Sequence, residues 1–324
     1  MEHQFKKKLS FVIPCYRSEN TVLKVIDEIE ETVVSRPEFE YEIILVNDGS
    51  PDNVWDVIKE RSEKDENVIG INLAKNFGQH SALLAGYNQC AGDYIISLDD
   101  DGQTPANECF SLVDELEKGY DLVYASYGKA HQNLFRRMGS RCAKVMSDYM
   151  FDIKGDDRQG SSYYIARRFV IEEMIKYKNP YPYMAGLILR TTRNIGFVHV
   201  NHRDRLEGTS SYSLKGLISL WMNGFTAFSV KPLQLGTYVG FFFSILGFIF
   251  AIITVIRKLF ITPTMEAGWS SIISIMLVIG GIVMIMLGLI GEYVGRIYIC
   301  INNSPQYVIK EISGSKETDT NESN

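Results

Sequence analysis

Along the first part of the chain, short apolar runs end in polar clusters and are followed by apolar residues at helical spacing. Residues 9–13 (LSFVI) stop at Pro14, and Val22, Val25, Ile26 and Ile29 then mark a helix over 21–33. Residues 41–46 run into Asn47, Asp48, Gly49 and Ser50, ahead of a helix through Trp55, Val57 and Ile58. Residues 68–73 end at Lys75, Asn76, Phe77 and Gly78, ahead of a helix through Leu83, Leu84 and Tyr87. A fourth run ends in Asp99, Asp100, Asp101, Gly102 and Gln103; Thr104 and Pro105 read as the N-cap and first position of a helix over 105–117. A fifth strand is expected over 122–125. Strands alternating with helices predict an α/β fold with crossover connections and a mainly parallel sheet.

That arrangement puts the first four polar clusters on one sheet edge, where open α/β sheets bind ligands. Strand alternation would point Asp99 and Asp101 to the same side. Hard oxygen donors of this type suit Mg2+ or Mn2+, which bind one or two carboxylates plus substrate phosphates. Asp48 is an acceptor suited to a base N–H or a ribose hydroxyl, and Tyr16 could stack on a nucleobase. An Asp triplet alone is more often a solvated turn, and a DG pair more often a simple turn. Four such strand ends in order describe a pocket for a nucleoside diphosphate, with a divalent ion at Asp101.

The C-terminal third differs. Residues 232–256 and 267–291 carry no charge, and each is near the ~20 residues that span a bilayer as a helix. Two transmembrane helices are expected, with the regions before and after them on one side. The polar, basic start (Lys6, Lys7, Lys8) leads straight into a strand and has no signal-peptide pattern, which predicts a cytoplasmic catalytic part. The five cysteines form no CxxC pair and fit reduced thiols. A net charge of −6 says little about partners, and no nucleic-acid partner is expected. Residues 129–151 place cations among Leu134, Phe135, Met138, Val145, Met146 and Phe151, which suits a helix lying on anionic lipid. Residues 213–231 offer a second, juxtamembrane amphipathic helix, with Trp221 as an interfacial anchor. Residues 301–324 read as a cytosolic tail whose polar end, from Ser313, is disordered.

The segments FVIPCYRSEN, IILVNDGSPD, NLAKNFGQHSALLAGYNQCAGDYIISLDDDGQTP, IGEYVGRIY and PQYVIKE carry a resemblance. Together they resemble family 2 glycosyltransferases that load sugars onto polyprenyl phosphate. These include relatives of dolichol-phosphate mannose synthase and bacterial bactoprenol glucosyltransferases with two C-terminal transmembrane helices. The resemblance runs from about Leu9 to Glu311. It implies a GT-A (Rossmann-like) catalytic domain over 1–212, a transmembrane hairpin within 232–300, a nucleoside-diphosphate sugar donor (UDP favoured over GDP), and Mg2+ or Mn2+. The acceptor it implies is polyprenyl (undecaprenyl) phosphate, and the product a lipid-linked sugar for cell-envelope glycan modification, made with inversion at the bacterial inner membrane. It also implies a homo-oligomer, with a tetramer as the suggested state.

Carried over by position, Pro14, Tyr16 and Asp48 hold base and ribose, with Glu19, Asn47, Lys75, Asn76, Gly78 and Asp100 in the same nucleotide-sugar pocket. Asp99 lies near the ribose and sugar; Asp101 and Gln103 bind the metal; Asp99, Asp101 and Arg205 are the catalytic set. Tyr163, His202, Arg205, Ser210, Ser211 and Tyr212 surround the acceptor phosphate.

Several positions depart from the pattern. Arg17 and Ser18 displace the usual acid to Glu19, and Asp100 and Gly102 stand for the common Ala and Leu. Tyr163, His202 and Ser211 stand where Arg, Arg and Lys are usual. Two alternatives remain: a non-catalytic, membrane-anchored nucleotide-sugar-binding scaffold, and a processive polysaccharide synthase. The lack of a QxxRW segment and the small number of spans oppose the synthase, and Asp99, Asp101 and Gln103 favour an enzyme over a scaffold.

Overall fold

The computed structural model describes residues 6–127, 161–201, 268–302 and 304–314, with scattered helical positions between Tyr238 and Phe260. The chain divides into two units, one of residues 1–213 with 304–324, the other of residues 214–303.

The first unit is built on an eight-stranded sheet: β1 (Lys7–Cys15), β2 (Phe39–Asn47), β3 (Val68–Leu73), β4 (Tyr94–Ser97), β5 (Leu122–Tyr127), β6 (Tyr164–Arg167), β7 (Ile195–Val200) and β8 (Ile309–Ser313). Their spatial order is β7-β5-β6-β4-β1-β2-β3-β8. β1 pairs in parallel with β2 and β4, β2 with β3, and β5 with β7. Only β6 and β8 run against the others. Helices α1 (Val22–Val34), α2 (Val54–Lys64), α3 (Gln79–Tyr87), α4 (Cys109–Leu116), α5 (Arg168–Met174) and α6 (Met184–Thr191) complete the unit's described part.

Both sheet faces are covered, which is why the parallel strands read as near-continuous apolar runs. On one face Leu9, Phe11, Ile13, Ile43, Leu45 and Ile96 pack in a cluster with Val22, Val25, Ile26 and Ile29 of α1 and Leu112, Val113 and Leu116 of α4. On the other, α3 lies so close that a Cβ on Gly86 would meet Val12 Cγ1 at 2.4 Å. The chain progresses from β1 through β2 to β3 and then returns to place β4 on the other side of β1. This reversal makes the β1/β4 gap a topological switch point, with the strands' carboxyl ends opening there.

Three expectations are corrected. β4 stops at Ser97, so the Asp triplet lies in a turn and strand alternation does not govern its side chains. Pro105 is extended (φ −72, ψ 96), so Thr104 does not cap α4; a 3-10 turn over Ala106–Glu108 intervenes and Glu108 takes the N-cap position. The tail was expected to be disordered from Ser313, but Ser313 is the last residue of β8 (Ile309–Ser313), which pairs with the free edge of β3. It is fastened by the Ala74 N–H to the Val308 carbonyl (2.9 Å) and by the Ser62–Ser313 hydroxyl pair (2.8 Å). Residues 315–324, and the amphipathic segments 129–151 and 213–231, lie outside the described residues.

In the second unit, α7 (Trp269–Ile301) has 33 residues, and its part Ile279–Ile301 is long and apolar enough to cross a membrane. Residues 267–291 were expected to span; the helix continues ten residues further, to Ile301. The described positions from Tyr238 to Phe260 are helical, and their large apolar side chains, such as Phe241 and Ile249, are exposed.

Candidate functional site: the carboxyl edge of the sheet

Backbone direction brings the strand-end clusters together. Since β1, β2, β3 and β4 are parallel, Pro14 to Glu19, Asn47 to Asp52, Lys75 to Gly78 and Asp99 to Gln103 all leave the same edge. The carboxyl ends of β5 and β7 reach that edge too, so the chain departs from it at Tyr127 and at Asn201, just before the segment with Arg205.

Asp48, at the end of β2, is buried, and its carboxylate accepts the backbone N–H of Phe77 (2.7 Å) and of Gly78 (2.9 Å). The Asn76 amide donates to the Asp48 carbonyl (3.1 Å). Burial pushes the Asp48 carboxyl up to about 6, against the two N–H groups, which favour its charge. Gly49 next to it sits at φ 58, and a Cβ there would meet the Lys75 carbonyl carbon at 2.4 Å; only glycine permits this approach. Behind the loop, the Asn47 amide donates to Asn72 (2.9 Å), and Asn47 Oδ1 accepts the Ser50 N–H (3.0 Å).

Asp99 is held by two groups that the sequence did not single out. The Gln79 amide, from the first residue of α3, donates to Oδ1 (2.9 Å), and the Ser162 hydroxyl, just before β6, donates to Oδ2. Asp100 turns elsewhere and accepts the Tyr16 N–H (2.9 Å). Burial raises its carboxyl to about 6. Asp101 and Gln103 are half-buried, and the Gln103 N–H donates to Asp101 Oδ1 (3.0 Å) across Gly102, whose φ of 71 closes the turn.

Among the described residues no three His, Cys, Asp or Glu side chains converge as a metal cage. The donor set nevertheless fits Mg2+ or Mn2+: one carboxylate and one amide oxygen on a tight turn at the ligand-binding edge, with the remaining positions left to water and phosphate.

Around β1, Pro14 is buried while Tyr16 is 42% exposed, with the Arg17 guanidinium 5.5 Å from the centre of its ring. Glu19 is tied to the β2 loop: its Oε2 accepts the Asn53 N–H (3.0 Å). Lys75 is exposed, its ammonium 5.1 Å from the Phe77 ring.

One acceptor expectation is corrected. Tyr163 is fully buried and its hydroxyl donates to the Pro105 carbonyl (3.1 Å), so it packs in the core and presents nothing to a lipid phosphate. His202, Arg205, Ser210, Ser211 and Tyr212 lie outside the described residues. Besides Gln79 and Ser162, the sequence reading missed Asp52, whose carboxylate accepts the Glu19 N–H (3.1 Å). The signals were thin: a Gln directly after a loop glycine, and small polar residues flanking motifs already read as turns.

The model of Glycosyl transferase family 2 matches residues 10–176, and that of the GtrB C-terminal hairpin matches residues 231–297. The chain is 33% identical over 318 residues to undecaprenyl-phosphate 4-deoxy-4-formamido-L-arabinose transferase of Yersinia pestis (strain Pestoides F), covering 98% of this chain and 97% of that one. The protein of the same name from Yersinia pseudotuberculosis (serotype I, strain IP32953) matches equally.

Among solved structures, glucosyl-3-phosphoglycerate synthase from Mycobacterium tuberculosis, in complex with Mn2+ and uridine-diphosphate-glucose, aligns with a TM-score of 0.52 at 19% identity, over 68% of this chain and 77% of that one. Mannosyl-3-phosphoglycerate synthase from Rubrobacter xylanophilus aligns with a TM-score of 0.52 at 14% identity, over 81% and 78%. These likenesses identify the sheet and its helices as the GT-A fold. On sequence and on fold, the chain belongs to glycosyl transferase family 2.

Proposed function

We propose that the protein transfers one sugar from a nucleoside-diphosphate sugar to polyprenyl phosphate at a membrane surface. The observation that carries this reading is the convergence of four strand-end loops on the β1/β4 switch point, with Asp99 and the Asp101–Gln103 turn among them. The Yersinia relatives, which match end to end and are named for undecaprenyl phosphate, supply the acceptor class. The apolar helix Ile279–Ile301 and the hairpin match over 231–297 supply the membrane.

In this reading Tyr16 offers its exposed ring to the base, and the loop gripped by Asp48 frames the nucleoside. Asp99, oriented by Gln79 and Ser162, faces the sugar side of the donor. A divalent ion, Mg2+ or Mn2+, held by Asp101 and Gln103 would neutralise the charge that develops on the departing diphosphate.

The acceptor phosphate is already ionised at neutral pH, so no strong base is needed. Its oxygen forms the new bond to the anomeric carbon as the bond to the nucleoside diphosphate breaks, with inversion. Positioning and charge stabilisation then carry the rate. Arg205, in the segment that follows Asn201 from the sheet edge, is assigned to the acceptor phosphate. The donor nucleotide is UDP in preference to GDP, the catalytic unit is cytoplasmic at the bacterial inner membrane, and the assembly is a homo-oligomer.

The test is nucleoside-diphosphate release by detergent-purified protein from UDP- and GDP-sugars, with and without undecaprenyl phosphate. Release that requires the lipid and Mn2+ is expected. Lipid-independent release, or none from any donor, overturns the assignment.

A further inference from the structure

Asp100 is the middle acid of the triplet, yet its Oδ2 reaches across the switch point from the β4 turn to the Tyr16 N–H, 2.9 Å away. The loop after β1 is laced in the same way to the β2 side. The Arg17 N–H donates to Ser50 Oγ (2.8 Å), the Glu19 N–H to Asp52 Oδ2 (3.1 Å), and the Asn53 N–H returns to Glu19 Oε2 (3.0 Å). Three of the loop's backbone donors, those of Tyr16, Arg17 and Glu19, are thus satisfied by side chains from two neighbouring strand ends. Its conformation is a costly one, for Arg17 adopts φ 58, a left-handed angle uncommon for residues other than glycine. Such a conformation persists where its surroundings over-determine it, and these hydrogen bonds do so. The outcome is the placing of the Tyr16 ring, exposed at the mouth of the pocket beside the Arg17 guanidinium.

We propose that Asp100 is a positioning residue for the donor: through the Tyr16 N–H it fixes the base-holding loop to the turn that carries Asp101 and Gln103, and it does not ligate the metal. This rests on the donor-site reading above. The nucleoside end and the diphosphate end of one ligand must be gripped at a fixed spacing, and they lie on different strands. A carboxylate bridging the two loops sets that spacing before the ligand arrives, which saves the ordering cost on binding. Asp100 occupies the place where the resemblance has a small apolar residue, so this bridge is a feature of the chain's own residues.

The substitutions Asp100→Asn and Asp100→Ala separate the roles, because Asn keeps an oxygen acceptor for the Tyr16 N–H and Ala does not. The probes are Mn2+ alone, measured by electron paramagnetic resonance, and UDP at saturating Mn2+, measured by calorimetry, with GDP used if the wild type prefers it. Asp100→Asn is expected to bind nucleotide within about twofold of wild type and Asp100→Ala about tenfold more weakly, the scale of one lost charge-assisted hydrogen bond, with Mn2+ affinity unchanged in both. If Asp100→Ala does not fold, Asp100→Ser, too short to reach Tyr16, takes its place. Wild-type nucleotide affinity in the truncated variant overturns the proposal, as does a tenfold loss of Mn2+ affinity in Asp100→Asn, which would make Asp100 a ligand. A wild type that binds neither nucleotide defeats the donor-site reading itself, and the inference with it.

Discussion

Asp101 and Asp48 show how single carboxylates at one sheet edge take different roles. Asp101 sits half-buried on a glycine turn, where a divalent ion can approach; Asp101→Ala is expected to lower turnover at least about a hundredfold while the unfolding midpoint stays near wild type. Near-normal turnover would remove the metal assignment. Asp48 is instead buried under two backbone N–H groups, and burial lifts its carboxyl from the ordinary 3.8 to about 6. The stability linked to this proton is complete below the ordinary value and is lost as pH rises through 6. Measured against Asp48→Asn, the wild type should therefore lose relative stability between pH 4 and pH 7.5, by roughly 3 kcal/mol at most. A difference that grows with pH in favour of wild type would contradict the burial argument. At this scale the sequence identified residue types better than partners. The acids at 48, 99, 100 and 101 were evident, but that Asp100 turns to Tyr16 depends on β4 ending at Ser97, which no local pattern announces. Tyr163 misled for a similar reason, since its position within a motif says nothing of which face of the sheet it meets.

Among the elements, the first five strands were legible because their buried residues on both faces read as apolar runs, although their exact ends were not. β6, β7 and β8 were not. β6 is four residues long, and β8 pairs with β3 from the far end of the chain, a partnership set by tertiary contact alone. The attachment of β8 has a consequence for the site, because the Ala74 N–H that it satisfies lies next to the Lys75 to Gly78 loop. Removing residues 304–324 should lower the unfolding midpoint and weaken nucleotide binding together; unchanged nucleotide affinity would show that the loop holds its shape without the strand. Lys59 and Glu311 form an exposed pair across the same contact and are expected to add little by themselves. Gly49→Ala tests the opposite side of that loop. Its Cβ would press on the Lys75 and Asn76 backbone at 2.4 to 2.5 Å in a left-handed conformation, so a loss of about 1–3 kcal/mol in unfolding free energy is expected, together with weaker nucleotide binding. Wild-type stability in this variant would mean that the two loops do not meet as described.

At the scale of the whole molecule, a catalytic sheet and an apolar helical region share one chain, and the chain returns from the second to complete the first with β8. Composition predicts an apolar region of this kind, since uncharged stretches near the length of a bilayer span stand out against an ordinary globular background. An enzyme that joins a soluble nucleotide sugar to a lipid phosphate needs both parts. The most direct measurement is the mass spectrum of undecaprenyl phosphate after incubation with the detergent-purified protein, Mn2+ and a set of UDP- and GDP-sugars. The expected result is a mass increase of one sugar residue from one donor, abolished by chelation and by Asp101→Ala. Metal-dependent nucleotide binding with unmodified lipid from every donor would contradict the account and leave a nucleotide-binding membrane protein in place of a transferase.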